Sequence, residues 1–392
     1  MNLAPNLELP PPDEDARAAS RALFSSISHE IEARGGWIPF SRYMEMALYT
    51  PALGYYSGGS QKFGGAGDFT TAPEISPLFG QALARQLAQI MSSSKPQVTE
   101  FGAGTGQLAA QILLALADQD AAPEHYAIVE VSGELRERQK AHITRDAPDL
   151  VDRVLWLDRL PPNLEGAVIG NEVLDAMPAQ IVVSAQNHWY ERGVVLDPTG
   201  RLAFDDRPAD ATLLAEILQR VPNAEALSGT YVTEVNLSAL AFVASVAERL
   251  SLGAAVFIDY GFPASEFYHP QRASGTLMAH YRHRAHFDPF VWPGLQDLTT
   301  HVDFSAVVHT AAQAGAQLYG YTSQARFLIN CGITDLIRAT PQDSMQWLPE
   351  VNALQRLLSE AEMGELFKVV SFGRGQNEPL IGFAHGDRCR AL

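Results

Sequence analysis

Through the middle of the chain, short apolar runs bounded by turn residues alternate with segments whose apolar positions recur every three or four residues. Residues 97–101, 126–130, 153–157 and 167–170 read as strands, with helices over 107–117 and 133–144 between them. Strand and helix in alternation predict a parallel sheet with crossover helices, an α/β fold of Rossmann-like type with helices on both faces. Upstream, residues 15–34 carry helical spacing and stop at Gly35-Gly36, and a second helix follows Phe40 and ends before Pro51. Ser76-Pro77 caps a third helix running to about Met91, while the glycine-rich stretch 54–73 reads as a loop. Further on, 179–195 reads as a hairpin around Gln186-Asn187, and 197–229 as a polar insertion with one helix. Residues 230–235 and 254–259 read as strands resuming the sheet, and 261–302 as a long aperiodic loop that covers a ligand. The last third reads as a helix from Asp303, a strand near 317–321, helices to about Leu358 and a final strand over 367–371. The organisation expected is a disordered leader over 1–14, a helical and glycine-rich lid segment over 15–96, and a main domain over 97–385. Insertions near 179–229 and 261–302 supply an added helical and loop-rich lobe.

The most informative stretch is Glu100-Phe101-Gly102-Ala103-Gly104-Thr105-Gly106, a strand running into a glycine loop that opens a helix near Gln107. Glycine at 102, 104 and 106 permits positive φ and removes the Cβ atoms that would hold a ligand away from backbone, and the helix start offers free amide donors. Both a dinucleotide and S-adenosylmethionine fit such a loop, and the run Gly104, Gly106, Ala109 satisfies the looser dinucleotide form. Glu100, read as lying at the strand tip, favours the methyl donor, because a pyrophosphate would meet like charge there and a sulfonium or ammonium the opposite. Glu130 ends the next strand and suits a ribose diol in either ligand class.

Composition narrows the partners. The chain has 392 residues, 46% of them hydrophobic and 19% charged, and no apolar run long enough to span a bilayer, so no membrane partner is expected. A formal charge of −17 opposes binding to nucleic acid and favours a cationic partner. The two cysteines, Cys331 and Cys389, supply neither a disulfide framework nor a four-cysteine zinc site. The acid-rich start, with its three consecutive prolines, resembles neither a secretory signal nor a transit peptide and predicts a cytoplasmic bacterial protein.

Several longer runs carry a more specific signal: GDFTTAPEISPLFG at 67–80, EFGAGTG at 100–106, GNEVLDAMP at 170–178, and IDYGFP with EFYHPQR and GTLMAHYRH between 258 and 283. Together they resemble the MidA/NDUFAF7 family over roughly residues 20–385. That resemblance implies a class I S-adenosylmethionine-dependent methyltransferase with a seven-stranded sheet, whose mitochondrial members act as arginine methyltransferases on a subunit of respiratory complex I. It implies S-adenosyl-L-methionine as cofactor and an arginine-bearing protein as partner. It further places Asp158 near the adenine amino group with Leu157 packed beside the base, Asn171 near the methyl-bearing sulfur, and Thr71 and Pro73 in a loop closing over the donor.

If residues 170–178 begin a helical turn, Glu172 and Asp175 lie three apart on one face. Paired carboxylates can grip the planar fork of a guanidinium and aim its nitrogen at the sulfonium carbon, so both are candidate catalytic residues. Asp259-Tyr260-Gly261 is a second place for an acceptor site. His280, His283 and His286 recur every three residues, but Arg282 and Arg284 between them oppose a cation, and no metal is expected. The aromatic residues Tyr268, Tyr281, Phe287, Phe290 and Trp292 could wall a channel for a cationic side chain or belong to a core. An assembly protein that keeps the fold without essential catalysis is the alternative from another class.

Overall fold

A computed structural model describes residues 9–58, 71–222, 224, 229–339, 343–345 and 347–392. The chain divides into two compact units, one made of Met1–Phe69, Asp175–Ala239 and Ala264–His301, the other of Thr70–Leu174, Leu240–Pro263 and Val302–Leu392.

The second unit is built on a sheet of seven main strands: β1 Gln97–Phe101, β2 His125–Val129, β3 Val154–Leu157, β4 Leu164–Asn171, β5 Leu250–Phe262, β6 Gln317–Ser323 and β7 Phe367–Arg374. Their order across the sheet is β6-β7-β5-β4-β1-β2-β3. The pairs β1–β2, β1–β4, β2–β3 and β4–β5 are parallel, while β7 runs antiparallel to both β5 and β6. The order reverses between β1 and β4, so the crevice for a ligand opens beyond the carboxyl ends of those two strands. Val98, Tyr126, Ile128, Ile169 and Val256 share one face and pack with Leu83, Leu87, Ile112 and Leu113 from the helices Pro77–Ser92 and Gln107–Ala117. On the other face Phe242 meets Phe101 and Phe257 edge-on at 4.9 and 5.9 Å, so both faces are covered and the strands are apolar on both sides.

The helix Glu14–Ala33 begins where Asp13 accepts the Ala16 N–H and ends before Gly35 and Gly36, both at positive φ. It packs Leu23, Ile27 and Ile31 in the core of the first unit with Phe40, Tyr43 and Leu48 from the helix Phe40–Tyr49. Residues 1–8 of the expected leader, and 59–70 of the expected glycine-rich loop, lie outside the described residues. The hairpin forms from Gln180–Ala185 and His188–Leu196, with Gln186 and Asn187 at φ of 52° and 61°, the twist that a two-residue turn requires.

Three expectations change here. Tyr231–Val235 does not resume the parallel sheet; it pairs antiparallel with Gln180–Ala185 in the first unit, because a strand's own pattern does not name its neighbour. The polar insertion contains a strand, Leu202–Pro208, besides its helix Ala211–Arg220. The segment 261–302 is not an aperiodic loop: Met278–Tyr281, Arg284–His286 and Asp297–Thr299 form a three-stranded antiparallel sheet, in strands of three or four residues that are too short to display a period.

Candidate active site

The glycine loop leaves β1 with Gly102, Gly104 and Gly106 at φ of 67°, 51° and 84°, and the helix Gln107–Ala117 starts directly after it. The three positions differ in what lies beyond them. A Cβ on Gly102 would come within 2.7 Å of Val173 Cγ2, and one on Gly106 within 3.0 Å of Gln139 Cα, whereas one on Gly104 would meet nothing within 4 Å. Gly104 is therefore the glycine that faces open space, where a ligand can approach the backbone.

Glu100 is not at the strand tip. It sits one residue earlier, 1% exposed, on the face it shares with Val98, and Tyr126 Oη donates to its Oε2 at 2.8 Å. Burial pushes its carboxyl up to about 7, with the tyrosine hydrogen bond pulling the other way. The charge argument drawn from Glu100 is corrected accordingly: strand alternation turns this side chain into the core rather than toward the crevice.

Glu130 follows β2, half-buried, and both its carboxylate oxygens are engaged: Ser132 N–H donates to Oε1 at 2.8 Å and Gln139 Nε2 to Oε2 at 3.1 Å. Gln139, which the sequence reading passed over, is fully buried on the helix Gly133–Asp146. Its Nε2 also donates to the Gly104 carbonyl at 3.1 Å, and its Oε1 accepts from Trp156 Nε1 at 3.0 Å. A signal was present, since Leu135, Gln139 and Ile143 are the buried residues of this helix and stand four apart. A glutamine in an apolar stripe has to find buried partners.

At the end of β4 no helical turn forms, and this removes the premise that placed Glu172 and Asp175 on one face. Glu172 continues the ladder, donating its N–H to Ile258 O at 2.9 Å, and then takes a φ of 54°, the left-handed region a non-glycine residue rarely enters. Its Oε1 accepts from Asn171 Nδ2 at 3.0 Å. Asp259 Oδ2, on the neighbouring β5, accepts the N–H groups of Val173 and Leu174 at 3.1 and 2.8 Å, and its Oδ1 accepts the Tyr260 N–H at 2.9 Å. Asp259, 1% exposed, is thus committed to holding the chain just past Glu172. Asp175 belongs to the first unit, 2% exposed, with its carbonyl accepting the Thr300 N–H at 3.0 Å.

The remaining candidates divide. Thr71 precedes the short helix Ala72–Ile75, and the carbonyl of buried Pro73 accepts from Gln107 Nε2 at 3.3 Å and Gln111 Nε2 at 2.8 Å, which ties this turn to the helix after the glycine loop. Gly67, Asp68, Phe69 and Thr70 of the same run lie outside the described residues. Leu157 is half-buried at the end of β3, its carbonyl accepting the Glu130 N–H at 2.9 Å. The Asp158 side chain is 79% exposed, with Arg159 Nε 3.9 Å away. Of the aromatic residues, Tyr268 and Tyr281 are buried and Phe287 is 71% exposed, so they do not form one wall. No group of three or more His, Cys, Asp or Glu side chains suited to a metal ion occurs among the described residues. Nor is any of their helices long and apolar enough to cross a membrane.

Residues 80–322 match the family described as S-adenosyl-L-methionine-dependent methyltransferase. The chain is 31% identical to the mouse protein named protein arginine methyltransferase NDUFAF7, mitochondrial, over 87% of this chain and 82% of the relative. It is 28% identical to the homologue so named in Drosophila melanogaster, over 96% and 93% of the two chains. A crystal structure of a Burkholderia thailandensis protein bound to S-adenosyl-homocysteine superposes with a TM-score of 0.94 at 55% identity, over 98% of this chain and 100% of that one. The curated relatives are named as mitochondrial proteins, which overturns the cytoplasmic expectation drawn from the composition of the leader. With the sheet order, the glycine loop and these likenesses together, the chain belongs to the MidA/NDUFAF7 family of S-adenosyl-L-methionine-dependent methyltransferases.

Proposed function

We propose that this methyltransferase modifies an arginine side chain of a partner protein, with Glu172 as the carboxylate that receives the guanidinium. The observation that carries the reading is the conformation of Glu172: a non-glycine residue held at a φ of 54° directly beyond β4, at the reversal of strand order. A strained backbone kept at a ligand-binding edge, where glycine would be easier, points to a need for that side chain. The names of the relatives support arginine as the acceptor, and the charge of −17 suits a cationic partner surface. A respiratory-chain subunit is the first partner to try.

In this reading the donor lies over the glycine loop, with Gly104 giving backbone access and Glu130 the ribose contact. Leu157 and Asp158 border the adenine, Asn171 stands near the sulfur, and Thr71 and Pro73 edge the donor from the turn bonded to Gln107 and Gln111. S-adenosyl-L-methionine supplies an electrophilic methyl group on a sulfonium. A guanidinium nitrogen forms the new C–N bond as the C–S bond breaks, the sulfur leaves as a neutral thioether, and the nitrogen's proton passes to solvent. Glu172 contributes by orienting the planar fork, and Asn171 by holding that carboxylate. The test is transfer of labelled methyl from S-adenosyl-L-methionine into an extract from cells lacking the protein, followed by acid hydrolysis. Label in methylarginine is expected; label confined to other amino acids would defeat the arginine reading.

A further inference from the structure

We infer that Gln139 is a positioning residue of the donor site, locking Glu130, the glycine loop and β3 into one arrangement by a single side-chain amide. This rests on the reading of Glu130 as the ribose acid. The geometry is specific. One nitrogen, Nε2, has two hydrogens, and each has an acceptor at 3.1 Å: the Gly104 carbonyl at the open point of the loop and the Glu130 carboxylate. The oxygen of the same amide accepts the Trp156 indole N–H at 3.0 Å. All the hydrogen-bonding directions of the amide that face these partners are used, in a side chain with no exposure. The backbone of the same residue approaches to 3.0 Å from where a Gly106 Cβ would stand, so the loop's third glycine is what lets Gln139 come this close.

The consequence is that the two donor contacts are set together. A carboxylate with one oxygen fixed by Ser132 N–H and the other by Gln139 has its plane defined before ligand arrives, and the Gly104 carbonyl is held toward Gln139, so the Thr105 N–H on the same planar peptide points the other way. Preorganisation of this kind raises affinity by removing ordering that binding would otherwise require. Gln139 touches no ligand in this account; it acts through Glu130 and the loop.

The Gln139→Glu variant tests the relay selectively. It keeps side-chain length and an oxygen to accept from Trp156, and replaces the donating NH2 by an oxygen that faces Glu130. When ionised it repels Glu130; when protonated its single O–H can donate to Glu130 again, because two adjacent carboxyls share a proton, while the bond to the Gly104 carbonyl stays lost. Titration calorimetry with S-adenosyl-homocysteine is expected to give an affinity roughly 10- to 100-fold below wild type at pH 8.5, the range for losing a hydrogen bond to a charged group. At pH 6 the loss is expected to shrink by several fold, leaving the part due to the missing bond to Gly104. Wild-type affinity at pH 8.5, or a loss of the same size at both pH values, would overturn the proposal, the latter because a packing defect does not reverse with protonation. A Glu130→Gln variant in the same series separates the two claims. If it binds as tightly as wild type, the ribose role fails and the relay through it fails too; if it weakens binding while Gln139→Glu does not, the relay alone fails.

Discussion

Glu172 has a backbone that glycine would adopt without strain, and a non-glycine residue in this region costs on the order of 1–2 kcal/mol. Glu172→Gly is therefore expected to match or exceed wild-type stability by up to about 1 kcal/mol in urea unfolding while losing methyl transfer. A glycine variant that transfers normally would remove the functional reason for the strain. Glu100 makes a second residue-scale expectation, in which the sign follows from burial. Its carboxyl titrates near 7 in the folded chain against an ordinary value of 4.5, so the folded state binds more protons than the unfolded one between those values. The stability it contributes is present below about 4.5 and is lost as pH rises through 7. Glu100→Gln keeps the Tyr126 partner and removes the ionisation, so its melting temperature is expected to gain on wild type from pH 5.5 to pH 8; a constant difference would contradict it. Much of this was visible in the sequence as residue types: the three glycines, Glu100 and Glu130 were singled out by spacing alone. Their environments were not. Strand alternation buries Glu100, and nothing in a glutamate's identity announces a positive φ at 172.

At the scale of elements, long periodic segments were the legible ones. The helix Pro77–Ser92 follows from its Ser76 cap, the helix Gln107–Ala117 from the glycine loop that opens it, and the hairpin at Gln186 and Asn187 from local turn chemistry. The strands Arg284–His286 and Asp297–Thr299 were missed because three residues cannot show alternation; the first pairs locally with Met278–Tyr281 across residues 282 and 283, and the second pairs with the same strand from about twenty residues away. Tyr231–Val235 was recognised as a strand but assigned to the wrong sheet; Glu234, buried and accepting the Thr276 and Leu277 N–H groups at 2.7 and 3.0 Å, anchors the following segment within the first unit. The junction of β4 and β5 is where element geometry meets the site. Asp259→Ala would strand the N–H groups of Val173 and Leu174, and a buried unsatisfied donor costs about 1–3 kcal/mol. Denaturant titration is expected to show a loss of about 3 kcal/mol, with transfer reduced through the displaced Glu172. A change below about 0.5 kcal/mol would mean the segment is held by other contacts.

For the whole molecule, the elements proposed to bind the donor all belong to the unit of Thr70–Leu174, Leu240–Pro263 and Val302–Leu392. A ligand that binds only the folded form at 100 times its dissociation constant stabilises by about 2.7 kcal/mol. S-adenosyl-homocysteine is accordingly expected to slow amide exchange first at 102–107, 130–139 and 157–158, whereas NAD should leave exchange unchanged; protection by NAD would contradict the ligand assignment. The parallel sheet with its crossover helices was legible in the strand-helix rhythm, but the strand order, with its antiparallel last strand, was not; nor was the proposed acceptor end, which depends on a turn conformation and a buried aspartate. The most direct test of the account is the steady-state rate of methyl transfer to the arginine-bearing partner by Glu172→Gln over a grid of donor and acceptor concentrations. The donor KM is expected to stay within about threefold of wild type and kcat/KM for the acceptor to fall about 30- to 1000-fold, the range for losing one charge-assisted pair. An unchanged acceptor kcat/KM, or a fall explained wholly by a raised donor KM, would contradict the assignment of Glu172 to the acceptor.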